Sequence, residues 1–356
     1  MQSNVEFDPS RIDYAPLVAP ADPDDIDRFR RSTIDAAFPY PDPRRLYRRS
    51  ISSIAVAVLP LALIIACVIW MGDGIEQMAN DRVANLVRLF LFVVSTLVAW
   101  RAVHVIRRDV DLVRYWPHWR RLAAFAEANA LNFYALTGAP TMPGAVFRGG
   151  AESRVSDRFM SGTGRFIDFG NYIDRAGEYG WDTLRKWGYI ALRLDRELPH
   201  IVLKARSNVG RGIPLVPNRD QVLTLEGEFK RYFTLYAPKD YERDALYVLS
   251  PDLMALLIDE ASAFDVEIVD DWIIFYSPKH FDLRSPASFG RIMRIAQVVG
   301  TKSLRQTNRY ADNRSEVEGV VANPGRRLRK TLSTHSVVAL TAWTVVWAAP
   351  VINWLT

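Results

Sequence analysis

The stretch Val222–Pro278 constrains the fold most, because several segments with clear periodicity follow one another there. From Tyr232 to Tyr236, Phe233 and Leu235 alternate with the other side chains, which is the period of a pleated strand. The continuous apolar run Ala245–Leu249 is typical of a strand that is covered on both faces. This part of the chain therefore predicts strands that pair within one sheet.

A helix and a hairpin are predicted after these strands. Ser250 can cap a helix, and the proline and aspartate after it suit the first turn. Apolar residues then recur at helical spacing and form one face: Leu253, Met254, Leu257 and Ala261. Two β-rich runs, Val266–Val269 and Trp272–Tyr276, flank Asp270-Asp271, which predicts a hairpin with its turn at the two aspartates.

The order of these motifs resembles a family of uncharacterised bacterial membrane proteins, catalogued as domain of unknown function 3137. Gly227–Tyr236 matches the family's run of the form D/G-x-F-x-x-[HY]-F-x-[VL]-Y, and Asp244–Leu257 is similar to its ARYLLTP-x-x-M-x-x-L run. The resemblance covers about Leu122–Val299. It implies a shared fold and no activity, because none is established for the family.

The remaining segments predict an α+β domain over residues 107–300. An amphipathic helix is expected at His118–Asn129, and a last helix from Ser285-Pro286 to a stop at Gly300. The segments with strand character are Leu131–Leu136, Ala145–Arg148, Arg165–Ile173, Tyr189–Asp195 and His200–Ala205. Because strands outnumber helices and do not alternate with them, we expect a largely antiparallel sheet with a few helices.

Three long apolar segments predict transmembrane helices. Residues 51–71 and 336–355 each have the length that crosses the hydrocarbon core of a bilayer. Residues 83–105 form a second candidate, with Arg88 and Arg101 bracketing an uncharged centre, and an amphipathic surface helix is the alternative there. The single cysteine, Cys67, lies in the first segment and is interpreted as a packing residue.

Clusters of arginine set the expected orientation. The loop between the first two spans is acidic. Basic clusters precede the first span, follow the second and precede the third: Arg44, Arg45, Arg48 and Arg49; Arg107, Arg108, Arg114, Arg120 and Arg121; Arg326, Arg327, Arg329 and Lys330. The positive-inside rule then predicts a multi-pass cell-membrane protein with its N-terminus and main domain in the cytoplasm. Residues 1–50 are expected to be disordered, and residues 301–335 to form a polar basic linker.

The sequence offers little support for a cofactor or a metal. The five histidines (His104, His118, His200, His280 and His335) share no ligand spacing, and no P-loop or nucleophile-elbow motif occurs. The glycine turns Ser161–Gly164 and Gly210–Gly212 could cradle a phosphate, but surface turns explain them better. No cofactor is therefore predicted, and the interspersed charges argue against a nucleic-acid partner.

Acidic pairs and one histidine are the remaining candidates for chemistry. Asp259-Glu260 and Asp270-Asp271 could serve acid/base work or hold a cation, although a helix end and a solvated turn are the simpler interpretation. His200 suits a structural hydrogen bond better than catalysis. Arg88 could take part in transport, but its place near the end of its span favours contact with the interface.

Two hypotheses follow for function. The first is a membrane protein without catalytic activity, whose domain binds an unknown membrane or cytoplasmic protein or another ligand. Its basic clusters would also attract anionic lipid headgroups, and it could form a homo-oligomer. The second is a hydrolase or transferase at the membrane surface, with a site assembled only in three dimensions. A transporter is a weaker third hypothesis, because three spans offer a poor pathway.

Overall fold

The computed structural model describes residues 6–20, 22–35, 115–148, 153–176, 183–225, 227–308, 310–317 and 319–329, and six single residues between 90 and 100. The chain divides into two compact units. The first unit comprises residues 1–14, 126–133 and 137–356, and the second comprises residues 15–125 and 134–136.

The structure contains a seven-stranded sheet, which belongs to the first unit apart from residues 134–136 of its first strand. Its strands are β1 (Leu131–Gly138), β2 (Arg154–Ser161), β3 (Ile167–Ala176), β4 (Thr183–Ala205), β5 (Val222–Leu223), β6 (Phe233–Tyr236) and β7 (Asp265–Ser277). The order is β1-β2-β3-β4-β6-β5, and β7 also pairs with β4. The pairs whose register is described are antiparallel, which confirms the predicted α+β class with an antiparallel sheet.

The helices of the described residues lie before, between and after these strands. They are α1 (Ala15–Val18), α2 (Pro23–Asp35), α3 (Trp116–Ala128), α4 (Phe229–Tyr232), α5 (Glu242–Val248), α6 (Pro251–Ala261), α7 (Pro286–Arg294), α8 (Gly300–Thr307) and α9 (Asn323–Arg326). Ile295–Val299 is a π-helical segment that joins α7 to α8 without a break. The predicted stop at Gly300 is wrong, because Gly300 continues the helix where its bare backbone packs against the sheet: an added Cβ would lie 2.8 Å from Leu192 Cδ1.

Side chains on both faces of β4 are buried over residues 187–192. The alternation of its side chains therefore separates two buried faces and not a buried face from an exposed one. Ile190 and Leu192 belong to the face that α8 covers, and Tyr189 and Ala191 belong to the opposite core. On the helical face, Phe289 of α7 meets the rings of Phe159 and Phe169 edge-on. On the other face, a core cluster draws its members from strands, loops and the C-terminal segment: Val146, Phe147, Val155, Tyr172, Trp187, Val202, Ile213, Leu215, Val269, Ile274, Tyr276 and Leu328.

The predicted hairpin at Asp270-Asp271 is wrong, because β7 runs straight through both aspartates. Asp270 has a φ of 52° and marks an irregularity in the pairing with β4. Arg193 pairs with Trp272 and Leu198 with Asp270, so β4 advances five residues while β7 advances two. The extra residues form a bulge in β4, and the positive φ of Asp270 gives β7 the local signature of a turn while the strand continues.

The strand predicted at Ala245–Leu249 is instead helix α5. Ala245 and Val248 are buried, whereas Leu246 and Tyr247 between them are 48% and 45% exposed. The acidic residues Glu242 and Asp244 in the first turn favour a helix start there. The apolar run is therefore one buried helical face plus two surface side chains. Ala145–Phe147 is likewise a 3₁₀ turn and no strand.

The predicted disordered segment and the predicted polar linker both contain defined structure where they are described. Within residues 1–50, predicted to be disordered, α2 forms a helix, and in the second unit Arg120 of α3 pairs with Asp25 of α2 at 2.6 Å. Within the predicted linker 301–335, α8 packs against β4, and residues 310–329 bury Tyr310, Val321 and Leu328. The C-terminal segment 310–329 is thus part of the first unit.

The prediction of three membrane helices is corrected by the structure. Among the residues it describes, no helix has both the length and the apolar character that crossing a bilayer requires. The multi-pass cell-membrane location, with the cytoplasmic placement derived from it, is therefore not supported. The segments Ile51–Met71 and Ser336–Leu355 lie outside the described residues, and Val83–Val105 is described only at Phe90, Val93, Val94, Thr96, Leu97 and Trp100.

Helix α6 confirms the prediction made from Ser250 and yields a stability test. The Ser250 hydroxyl accepts a hydrogen bond from the Leu253 backbone N–H, and Leu257 is 1% exposed. We expect Leu257→Ala to lower the free energy of unfolding by about 2–5 kcal/mol, as truncations of buried leucines do. Leu246→Ala, at an exposed position of α5, should change it by less than about 0.5 kcal/mol. Chemical denaturation of both variants measures this, and equal losses would contradict the assigned burial.

Candidate functional site

A cleft of about 890 Å³ opens in the first unit and is the candidate site. We call it the N-terminal cleft. One wall is the turn formed by residues 6–11, a second is Arg165 in the loop between β2 and β3, and the third is the helical stretch 297–305. Its volume lies within the range of roughly 300–1,000 Å³ that small-molecule sites occupy.

The N-terminal segment is fixed at both ends, so that the turn between them forms a defined wall. Phe7 is 3% exposed, and its backbone makes a parallel bridge to Gly164. Gly164 has a φ of 75°, and an added Cβ would lie 2.4 Å from Glu6 Cγ. At the other end, the Asp13 N–H donates to Asn129 Oδ1 at 2.7 Å, and Asn129 Nδ2 donates to the Asp13 carbonyl at 2.9 Å.

The π-helical segment shapes the opposite wall. Val299 and Gly300 face the sheet and are buried, whereas Gln297 is exposed and lines the cleft with Val298. A π turn inserts one residue into a helix and shifts the faces that follow it, and such turns are frequent at functional sites. In α8, Thr301, Lys302 and Arg305 continue the same wall.

Positive charge dominates the lining of the N-terminal cleft. Four cations (Arg11, Arg165, Lys302 and Arg305) face two carboxylates (Glu6 and Asp8). Arg165 Nη1 donates to the Thr301 hydroxyl at 2.7 Å, and among the described residues Arg165 forms no ion pair with a carboxylate. Lys302 pairs with Asp252 at 2.7 Å. Within the described part of the chain, Arg305 is exposed and has no ion pair.

Asp8 organises the turn through its own backbone. Its Oδ1 accepts from the Ser10 N–H at 2.8 Å and from the Ser10 hydroxyl at 2.7 Å. These hydrogen bonds, the one from the hydroxyl above all, lower the pKa of Asp8 below its ordinary value, and the charges of Arg11 and Arg165 lower it further. The carboxylate is therefore the favoured form of Asp8 in this turn.

A second polar cluster lies in the core and centres on Glu267, which is fully buried. Glu267 Oε2 accepts from the Ala145 N–H and from the Tyr276 hydroxyl, both at 2.8 Å, and Oε1 lies 2.9 Å from His200 Nε2. Burial, with the adjacent carboxylate, raises the pKa of Tyr276 well above its ordinary value, so the phenol keeps its proton and donates it.

The hydrogen bonds of His200 define its tautomer. Its Nδ1 accepts from the Leu328 N–H at 3.0 Å, so the proton of the neutral ring is on Nε2 and points to Glu267. Both ring nitrogens and both carboxylate oxygens are thus occupied, and His200 is 2% exposed. Buried in this way, with a partner at both ring nitrogens and at both carboxylate oxygens, the cluster ties the C-terminal segment 310–329 to the sheet.

The acidic pairs suggested by the sequence do not form a site. Glu260 pairs with Arg294, and Asp259 is exposed on the same helix. Asp270 forms two hydrogen bonds to Arg327, at 2.6 and 2.8 Å, and Asp271 pairs with Arg193 at 2.7 Å. Across the described ranges, no group of three or more His, Cys, Asp or Glu residues is placed to hold a metal ion.

The other candidates have structural roles or lie outside the described residues. Gly164, in the first glycine turn, allows close backbone approach as predicted, but the approaching chain is the protein's own residue 7. Gly212, in the second turn, leaves room for Asp265, since an added Cβ would lie 2.2 Å from its Oδ2. Cys67, Arg88, His104 and His335 fall on residues that are not described.

The N-terminal cleft does not follow from the sequence. Its cations are far apart in the chain, and residues 6–13 lie in the segment that is predicted to be disordered. One local signal was present: in Asp8-Pro9-Ser10, an aspartate can accept from the backbone two residues on, which is the signature of an Asx turn.

The Glu267 cluster predicts a stability effect. Tyr276→Phe removes one of the two donors to a buried carboxylate oxygen, so we expect the free energy of unfolding to fall by about 1–3 kcal/mol. Tyr247→Phe, at a position that is 45% exposed, removes a hydroxyl near water and is the matched control. Urea denaturation of both variants measures the difference, and the prediction fails if the two midpoints shift equally.

The turn at Asp8 predicts an acid titration. Because the pKa of Asp8 is lowered, the turn gains stability above the ordinary range of a carboxyl group and loses it as the pH falls through the lowered pKa. Ser10→Ala removes the largest cause and should raise the pKa of Asp8 more than Arg165→Gln does. Ser32→Ala, a distant control, should leave it unchanged. Carboxyl ¹³C NMR measures the pKa of Asp8 in the unmodified chain and in the three variants. An ordinary pKa of Asp8 in the unmodified chain would contradict the described turn.

Comparisons with known proteins give little further information. No protein-family model matches the chain, and no curated protein sequence matches it. The resemblance to domain of unknown function 3137 therefore stays a prediction. Among solved structures, the chain is similar to the crystal structure of the mycobacterial trehalose monomycolate transport factor A, TtfA, with 15% identity and a TM-score of 0.33 over 53% of this chain and 91% of that chain. A likeness this distant carries no argument about function.

Proposed function

We propose that the first unit is a binding domain that takes up a ligand or a segment of a partner in the N-terminal cleft and does no chemistry on it. The observation that carries this proposal is the charge of the lining: four cations against two carboxylates in a cleft of about 890 Å³. A cleft of this size with uncompensated charge offers a ligand of opposite charge both contact area and electrostatic attraction.

The placement of the acidic groups supports binding over catalysis. A general acid or base must reach the proton that it transfers. Among the described residues, the most deeply buried carboxylates are already hydrogen-bonded within the protein: Asp168 to Arg158 and Tyr189, Asp265 to two backbone N–H groups, and Glu267 to three donors. In the cleft itself, Asp8 is held in its turn by Ser10. No observation favours the hydrolase or transferase hypothesis specifically.

A crosslinking experiment in living host cells tests this proposal. A photoreactive amino acid replaces Gln297, which is exposed and lines the cleft, in the full-length chain. After irradiation, mass spectrometry should find an adduct on the peptide that contains position 297. The same amino acid at Arg243, an exposed position on α5 outside the cleft, is the matched control and should give no such adduct.

A cleft-narrowing variant makes the test specific. Val298→Trp places a large ring in the cleft and should reduce the adduct at position 297 while the melting temperature is unchanged. Equal adduct yields at positions 297 and 243, or a yield that Val298→Trp does not change, would contradict the proposal.

A further inference from the structure

The cations of the N-terminal cleft converge from three parts of the chain. Arg11 comes from the N-terminal turn, Arg165 from the loop after β2, and Arg305 from α8. Thr301, which accepts a hydrogen bond from Arg165, lies four residues before Arg305 on the same helix. Residues at this spacing are neighbours on a helix surface, so the guanidinium groups of Arg165 and Arg305 border one region of the cleft.

The protein's own carboxylates neutralise these cations only in part. Asp8 uses Oδ1 for Ser10, and its Oδ2 is 3.9 Å from the Arg11 Nε. Arg165 donates to a hydroxyl, and Arg305 has no ion pair within the described residues. Because Lys302 is held by Asp252, the charge that remains for a ligand is carried chiefly by Arg11, Arg165 and Arg305.

We infer that the N-terminal cleft binds an organic phosphate, whose phosphate group is held by Arg165 and Arg305 with Arg11 at its edge. This inference rests on the proposed function and names its ligand class. A guanidinium group presents a planar fork of N–H donors that matches phosphate oxygens, and several forks around one anion favour phosphate, which offers more oxygen acceptors than a carboxylate.

The size of the cleft requires more than a bare phosphate ion. About 890 Å³ leaves room for an organic body beside the charged group, and the lining includes the apolar surfaces of Pro9 and Val298. The phosphate therefore binds at the arginines, and the body that carries it contacts these two side chains. The same chemistry is offered by a soluble phosphate ester and by the headgroup of an anionic phospholipid, so the test includes both sources.

Binding is measured on the full-length protein with two probes. Glycerol 1-phosphate is titrated by calorimetry, and flotation assays use vesicles of phosphatidylcholine with and without phosphatidic acid. We expect the protein to bind at least one of the phosphate-bearing probes. Binding to the soluble ester alone identifies a free organic phosphate as the source, and binding to phosphatidic acid vesicles alone identifies the lipid headgroup.

Three variants assign the binding to the cleft. Arg305→Gln removes one charged donor at an exposed position and should weaken binding of the probe roughly tenfold. Arg11→Gln should weaken it in the same direction, and it provides a second readout on another part of the chain. Arg243→Gln removes the same charge from an exposed position of α5 outside the cleft and should leave the affinity unchanged.

The inference is overturned if neither probe binds, or if Arg305→Gln and Arg11→Gln behave like Arg243→Gln. Such a failure is distinct from a failure of the proposed function. If the crosslink at position 297 still forms, the cleft binds a ligand without phosphate; if neither binding nor crosslinking is found, the binding function falls as well.

Discussion

The pairing of β4 with β7 is the constraint on which the first unit depends. These strands have 23 and 13 residues, and their alignment is interrupted by a bulge in β4 opposite Asp270. Side chains from both halves of β7 project toward the same core. Those before the irregularity are Asp265, Glu267 and Val269, and those after it are Trp272, Ile274 and Tyr276. A regular strand would have put the two halves of this set on opposite faces, because side chains alternate with a period of two. The bulge therefore lets the Tyr276 hydroxyl reach Glu267.

Buried carboxylates then determine the paths of the loops. An unpaired charge in the interior is strongly unfavourable, so each buried acid requires donors that the chain must bring to it. Asp265 accepts hydrogen bonds from the N–H groups of Ala205 and Ile213. These bonds hold the loop after β4 against the sheet. Glu267 collects the Ala145 N–H and, through His200, links the sheet to Leu328. Burial raises the pKa of Asp265, and the hydrogen bonds from Ile213 and Ala205 act in the opposite direction.

The sequence correctly predicted helices and strands in which the spacing of apolar residues determines the secondary structure. The strand Phe233–Tyr236 and the capped helix Pro251–Ala261 are present as expected. The strand buries one face, and the helix buries one apolar stripe. The sequence pattern predicted the wrong secondary structure where tertiary contacts determine the conformation. Ala245–Leu249 is apolar throughout, yet it is helical up to Val248, and two of its side chains face solvent. Asp270-Asp271 resembles a turn because Asp270 adopts a positive φ, which turns also favour. The N-terminal cleft could not be predicted, because residues 6–11 meet Arg165 and α8 only in the folded chain.

The balance of charge differs between the core of the first unit and its N-terminal cleft. In the core, acids outnumber the cations that reach them, and backbone N–H groups complete their hydrogen bonding. Such groups are already satisfied, and removing one would cost stability without exposing a site. At the N-terminal cleft the balance is reversed: four cations and two carboxylates line it, and one of these carboxylates, Asp8, is held by hydrogen bonds from Ser10. Uncompensated cations are tolerated there because water solvates them, and a ligand with suitable oxygens can replace that water at little cost in rearrangement. The buried carboxylates of the first unit thus stabilise its fold, whereas the cleft holds more cations than carboxylates.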